Sequence, residues 1–530
     1  MDGKQAGKES LAKGMNARGW FLGHIDAMEG RVLPVALVLW VVMILAYLFY
    51  AVTGSILCEI KQWATPSWLP RDWYLNLPPD SRLLFDSLSG IAARFVDLHL
   101  LAFVLRPCGW ALMAYGLARI VCDLRLPLFW TVSMFLAFLY GFHQNFVAGE
   151  WYFFTIESKV PAYGFVFLAL SSLMRDRRSE SAFFMGLATS FHVLVGAWAF
   201  LAWLFVQLVD LIQGKVRLPE VLKSLCWYLP AASFGLFAII SNLLDNMRHG
   251  QLAHPGLPEA SYIYVFARHP HHLSPWEWPE ASFWLPFYFG VLILFGWLGF
   301  GKRWISQEEK LSRLSRFLVG AMLIFGAGLI IACFDHNGHL LKYYWFRLGS
   351  SMVPFGLLLI LARLAAVYVW PRWGRWHSAA YAVLAIALCV VSARFVIAAH
   401  HQMSEKEEPI YAWIKSHTSQ DAIFFVEPMD QDFNLKAERA IVVTIKNVPT
   451  RDQLLYEWAY RLQDECGPAP FNKFQQLMDD LSRGYYSRTT DQVRSVARKY
   501  DASYWVTRTS QHLDLPIVFQ NADTVVYDCR

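Results

Sequence analysis

Charge is scarce in this chain. Asp, Glu, Lys and Arg make up 17% of its 530 residues, 56% are hydrophobic, and mean hydropathy is +0.31. That is too apolar for a soluble protein of this size, and it points to many membrane spans. Cysteine is sparse too: eight residues with no C-x-x-C pair. Six of them (Cys58, Cys108, Cys122, Cys226, Cys333, Cys389) lie in or beside apolar runs, where Cys acts as a small hydrophobe. Cys466 and Cys529 lie in the polar C-terminal part and can pair if that part is outside the cytoplasm. The chain has no Gly-rich phosphate loop, no dinucleotide fingerprint, no internal repeat and no low-complexity tract. A net charge of +5 is too modest to imply a nucleic-acid partner.

What is present is a succession of apolar runs. The first, Val32 to Val52, is long enough to span a bilayer and longer than a signal-peptide core, so it reads as a retained anchor. Further runs at 98–118, 126–142, 160–174, 182–193, 194–212, 225–244, 283–300, 317–334, 346–369 and 378–398 bring the expected number of transmembrane helices to about eleven. The pair 182–193 and 194–212 is too long for one span and short for two, so a broken helix is expected around His192. Residues 1–30 read as a basic cytoplasmic tail. With that end inside, the inner loops collect Lys and Arg, including Arg175, Arg177, Arg178, Lys310, Arg313 and Arg316. The outer segments 53–97, 143–159, 245–282 and 335–345 are poorer in basic residues. The fold class is thus an α-helical polytopic membrane protein, spans occupying 31–399, with an α/β domain outside at 400–530. In that domain, strands are expected at 422–426, 440–445, 503–507, 516–519 and 524–527. Helices are expected at 452–465, 471–481 and 490–499.

The outer segments hold the candidate chemistry. The first carries Glu59, and Asp72 between Arg71 and Trp73. A carboxylate among interfacial aromatics is partly desolvated and suited to accept a proton, although an ion pair with Arg71 or a turn cap accounts for it equally. The second carries Glu150, Glu157 and Lys159 among Trp and Phe, at a depth where ionisable groups are costly. The third, S-Y-I-Y-V-F-A-R-H-P-H-H-L-S-P-W-E-W, packs three histidines and an arginine into Arg268 to His272. Its prolines exclude a long regular helix, so it reads as an aromatic-rich loop at the membrane surface, either with histidines satisfied structurally or as a binding site. The fourth brings Asp335, His336, His339, Lys342 and Arg347 into thirteen residues. These cations and histidines suit a phosphate, a pyrophosphate or an anionic lipid head group. His269, His271, His272 and Asp335 are also suitable ligand types for a divalent metal, the one cofactor the sequence raises.

This layout resembles the GT-C superfamily of integral-membrane glycosyltransferases. The features that carry the resemblance are an inside N-terminus and a long first outer loop with Glu59 and Asp72. A second acidic outer loop with Glu150 and Glu157 and an α/β tail complete it. The tail segments I-Y-A-W-I-K-S-H-T-S-Q-D-A-I-F-F-V and A-R-K-Y-D-A-S-Y-W-V-T-R look like extracytoplasmic tails of that superfamily, and F-A-R-H-P-H-H-L looks like a run in bacterial multi-span proteins. The resemblance implies an enzyme of the bacterial inner membrane. It would take a sugar from a polyprenyl-phosphate or polyprenyl-diphosphate donor to a cell-envelope acceptor at the outer surface, usually with inversion. By position, Asp72 would be the base or a metal-assisting acid, with Glu150 or Glu157 second. Arg71, Lys159, Arg268, His269, His271, His272, His336, His339, Lys342 and Arg347 would meet the phosphate. A lipid-linked-glycan flippase, with Arg106 and His192 as its intramembrane polar residues, and a non-catalytic membrane scaffold or sensor are the competing classes.

Overall fold

The computed structural model describes residues 28, 30–49, 54–78, 81–141, 147–149, 156–249, 254, 256–301, 308–404 and 408–530. Glu150 and most of the acidic segment around it lie outside these residues. Every described apolar run is helical. Six helices are long and apolar enough to cross a membrane: Leu98–Asp123, Val193–Ile212, Ala281–Phe300, Glu309–Ala332, Arg347–Tyr368 and His377–His401. Leu218–Ala231 and Ser233–Arg248 add a seventh if the pair, bent by 75°, is one span. The other expected spans fall in the shorter helices Val32–Tyr47, Leu128–Gly141, Lys159–Met174 and Arg178–Phe191. Length and composition therefore support six or seven spans among the described residues, short of the expected eleven.

The helix break at His192 is present. Its backbone is extended (φ −149°, ψ 104°) and its Nδ1 accepts from the Val195 N–H at 3.4 Å. The two helices then pack at once, and a Cβ on Gly196 would sit 2.0 Å from the Thr189 nitrogen. Only glycine allows this turn to close.

One end of the bundle is tied by ion pairs. Asp123 pairs with Arg175 (2.8 Å) and Lys310 (2.9 Å), while Asp210 pairs with Arg178 (2.7 Å) and Arg316 (2.9 Å). Arg313 bonds Asp176 at 2.8 Å, and Arg119 bonds Glu180 at 3.1 Å. Asp210 and Arg316 are fully buried. A carboxylate and a guanidinium away from water are tolerable only as partners, so each fixes the register of its helix.

The chain from 409 onward carries a five-stranded sheet, ordered β2-β1-β3-β5-β4. The strands are β1 Ile423–Phe425, β2 Ala440–Ile441, β3 Tyr504–Arg508, β4 Ile517–Gln520 and β5 Thr524–Asp528. β1 is parallel to β2 and β3, whereas β5 is antiparallel to β3 and β4. Helices Asp452–Cys466, Phe474–Tyr486 and Thr490–Tyr500 run between β2 and β3. Trp458, Trp505 and Tyr485 are the large buried side chains here, with the Tyr485 and Trp505 rings stacked at 4.4 Å. Cys466 and Cys529 are both buried free thiols, so they do not form a disulfide.

Two joints hold this tail to the bundle. The first is the stretch 260–273, a correction to its expected place as a surface loop. It is a chain of short turns: Ala260–Tyr262, a π-helical turn Ile263–Arg268, and Pro270–Leu273. Ile263 and Ala267 belong to the tail's core, and Val265 and Leu273 to the bundle's. Successive residues thus bury against opposite partners. Arg268 is buried here, and its Nε donates to the Ile445 carbonyl at 2.8 Å. The second joint is Asp72, 1% exposed. Its Oδ1 accepts from the Leu75 N–H (2.9 Å), and its Oδ2 from Asn434 Nδ2 (2.9 Å) and the Ile441 N–H (3.1 Å). Burial pushes this carboxyl above its ordinary range, and the three donors only partly offset that. Arg71 does not pair with Asp72 but donates to Asp501 (2.6 Å) and the Asp421 carbonyl (3.1 Å).

Asp72→Asn turns an acceptor into an amide that faces donors. Each buried donor left unsatisfied costs about 1–3 kcal/mol. We expect a lower melting temperature in detergent and faster proteolytic release of the tail. An unchanged melting curve and digest would show that Asp72 does not hold this joint.

Candidate functional site

Helix Gly54–Ala64 turns Ile56, Leu57 and Ile60 inward. Glu59 and Trp63, one turn apart, share another face. Helix Leu83–Ala93 packs closely on that face: a Cβ on Gly90 would lie 2.3 Å from the Trp63 ring. Asp86, one turn before Gly90, is thereby brought towards Glu59. Both line a cleft of about 240 Å³ with Tyr74, Arg82, Thr450 and Arg451. Arg82 forms an ion pair with Glu59, and Tyr74 OH donates to Glu59 Oε1 at 3.2 Å. Arg82 Nε stands 4.0 Å from Asp86. Two carboxylates therefore share one guanidinium.

A second cavity, about 430 Å³, adjoins the first. Ser81 lines one and Arg82 the other, and Thr450 lines both. Its walls are unlike those of the carboxylate cleft. Leu194, Ala197, Leu201, Ile239 and Leu243 form an apolar flank on two long helices, while His192, Lys342 and Arg347 stand at the polar end. Lys342 bonds Asp452 at 3.3 Å. The Arg347 guanidinium lies 3.9 Å from the centre of the Tyr344 ring and approaches His192 Nε2 at 3.4 Å. The cations are thus held by a tail carboxylate on one side and an aromatic face on the other.

Of the residues singled out from sequence, Glu59, Lys342 and Arg347 line these two spaces, and so does His192. The histidine cluster lies one layer back. His269 is half-buried, its Nδ1–H donates to the Tyr264 carbonyl at 3.1 Å, and its ring centre lies 4.5 Å from that of Tyr264. His272 Nδ1 bonds the Ala148 carbonyl at 2.8 Å, and the His271 and His272 rings are 4.1 Å apart. His269 and His272 back Tyr264 and Tyr344, which do line the cavity and whose hydroxyls meet at 3.3 Å, while His271 is exposed beside Phe474.

Asp335 accepts from the N–H groups of His339, Leu340 and Leu341, capping a turn. Among the described residues, no three His, Cys, Asp or Glu side chains are placed to hold a metal ion. His269, His271, His272 and Asp335 are not gathered into such a group. His336 is exposed, and His339 pairs with Glu259 at 2.9 Å on the same turn. Glu157 pairs with Lys159 at 2.7 Å. Arg71, Asp72 and Arg268 serve the joints rather than a cavity. Sequence reasoning missed Asp86, Arg82, Tyr74 and the Thr450–Asp452 segment. The one local signal was the i, i+4 pair in R-L-L-F-D.

A family model described as a domain of unknown function (DUF6798) matches residues 405–464, which take in β1 and β2. No curated protein matches the chain. Among solved structures it is similar to a single-particle cryo-EM structure of the arabinofuranosyltransferase AftD from Mycobacteria. The identity is 14%, over 92% of this chain and 37% of that one, with a TM-score of 0.44. The chain spans little more than a third of that protein, and likeness at this level fixes neither fold nor activity.

Burial, and then the neighbouring Arg268, hold the His269 imidazole well below its ordinary value, with His272 and His271 adding to the effect. The folded state then binds fewer protons than the unfolded one, so stability is lost as pH falls through the ordinary imidazole range. The limiting slope is about 1.4 kcal/mol per pH unit. Thermal denaturation between pH 7 and pH 5 should show this fall, and His269→Gln, which can still donate to Tyr264, should flatten it. Equal slopes would remove His269 from the joint's proton balance.

Proposed function

We propose that this chain is a GT-C-like glycosyltransferase of the bacterial inner membrane. It moves a sugar from a polyprenyl-phosphate or polyprenyl-diphosphate donor to a cell-envelope acceptor. The carrying observation is the adjacency of two unlike spaces: an apolar flank with a cationic end, and beside it a cleft with two carboxylates. A prenyl chain matches the first flank, and its phosphate matches Lys342 and Arg347. An acceptor hydroxyl in the second space meets Glu59 and Asp86. In this reading the N-terminus is inside, eleven helices cross the membrane with local thinning of the bilayer at the shorter ones, and the tail is an α/β domain outside. The ionic end of the bundle, rich in Arg and Lys, suits the cytoplasmic side.

The chemistry follows from the charges. The acceptor oxygen attacks the anomeric carbon opposite the phosphate, and the bond from that carbon to the phosphate oxygen breaks with its electron pair on the phosphate. Glu59 takes the acceptor's proton, while Asp86 competes with it for Arg82 and keeps it from being fully neutralised. Lys342 and Arg347 stabilise charge growing on the leaving group, where pre-placed cations are most effective. Attack from the opposite face inverts the anomeric centre. No metal ion is needed in this scheme.

Glu59→Gln should lower turnover of a polyprenyl-phosphate sugar in cell-envelope membranes by about 10²–10⁴-fold. Retention of polyprenyl phosphate, read by native mass spectrometry, should be unchanged. Arg347→Gln should weaken that retention. A Glu59→Gln protein with full turnover would refute the assignment of the base.

A further inference from the structure

The tail sheet has a feature that neither joint nor candidate site uses. From β1 the chain leaves through Phe433–Ala437 to β2 on one side. From β3 it leaves to β4 and β5 on the other. The neighbouring parallel strands β1 and β3 therefore part in opposite directions at their carboxyl ends. Such a divergence opens a crevice beyond the strands, the usual ligand position in open α/β sheets. Here the crevice is a cleft of about 540 Å³, within the ordinary range for small-molecule sites. It lies beyond Val426, the residue after β1, and Arg508, the last of β3, and shares no lining residue with the other two cavities.

The lining restricts the ligand. Tyr411, Glu427, Asp430, Tyr486, Arg508 and Thr509 face the cleft. The Arg508 guanidinium lies over the Tyr486 ring at 4.1 Å. Ser482 donates to Glu427 Oε1 at 3.0 Å, and Asp430 Oδ1 accepts from the Asp432 N–H at 3.1 Å, with the Phe433 N–H and the Tyr411 hydroxyl also bonded to Asp430. The turn after β1 reads V-E-P-M-D, with no glycine to let backbone N–H groups cradle a phosphate. The acidic lining repels anions, and no three carboxylates among the described residues are placed to hold a metal ion. With Arg508 and tyrosine rings beside the carboxylates, the lining suits a neutral, hydroxyl-rich ligand with apolar C–H faces. Carboxylates accept from its hydroxyls, Arg508 donates to them, and the tyrosine rings cover its C–H face.

We propose that the cleft at the carboxyl ends of β1 and β3 is a second, non-catalytic site that binds a neutral oligosaccharide. It acts independently of the transferase reading and stands whether or not that reading holds. The test is a glycan microarray carrying neutral hexose and pentose oligosaccharides together with uronate-containing ones. It is probed with the full chain in detergent and with Arg508→Ala and Asp430→Asn. Arg508 is exposed, so its variant should fold normally, which matched melting curves check. The wild type should retain neutral glycans, and each variant should lose retention by about tenfold, the effect of one charge-assisted hydrogen bond. The proposal is overturned if no glycan is retained, if only uronate glycans are retained, or if Arg508→Ala retains neutral glycans as well as the wild type.

Discussion

The buried carboxylate of Asp72 sets the geometry on which the candidate site depends. Taking a carboxylate out of water is costly unless hydrogen bonds replace the lost solvent. Here one donor comes from its own loop, Leu75, and two from the tail, Asn434 and Ile441. The tail can satisfy that oxygen only in one position. The same position lets Ile263 and Ala267 bury in the tail while Val265 buries in the bundle. The two joints therefore act as one constraint, and Thr450 and Arg451 come to lie against Ser81 and Arg82 as its consequence.

That placement separates two kinds of surface that chemistry at a membrane needs close together. The bundle offers leucines and a helix break at His192. The tail offers Asp452, which holds Lys342 without covering it. The first outer segment offers Glu59 and Asp86. None of these three elements makes the pair of cavities alone. The strands and helices of the tail position a few residues at the membrane face, and the sheet's opposite function-bearing edge, the carboxyl ends of β1 and β3, stays free for another ligand.

Much of the fold is readable from periodicity. Apolar runs such as 98–118 and 346–369 are helices because no other structure satisfies their backbone in an apolar setting. The tail strands sit where short β-branched and aromatic runs put them, and the interruption at His192 follows from lengths alone. The short helices Pro409–His417 and Phe433–Ala437 were not anticipated, since their patterns are too brief to show a period. The site was harder to read. Asp72 and Arg268 look like chemistry because ionisable groups among aromatics usually do, but burial against the tail uses them as long-range hydrogen-bond partners. His269 and His272 of R-H-P-H-H-L face carbonyls behind the tyrosine wall, and His271 is exposed against Phe474 in a separate cleft. Asp86 has only its i, i+4 pairing with Arg82 as a local signature and Thr450 has none, because the cleft they line joins segments hundreds of residues apart.

The central claim is that the tail and bundle together form a lipid-phosphate site. The most direct measurement is a cryo-EM map of the full chain in nanodiscs supplemented with polyprenyl phosphate. The account predicts phosphate density between His192, Lys342 and Arg347, with chain density along Leu194, Leu201 and Leu243. A map with ordered lipid elsewhere and this cavity empty would contradict it.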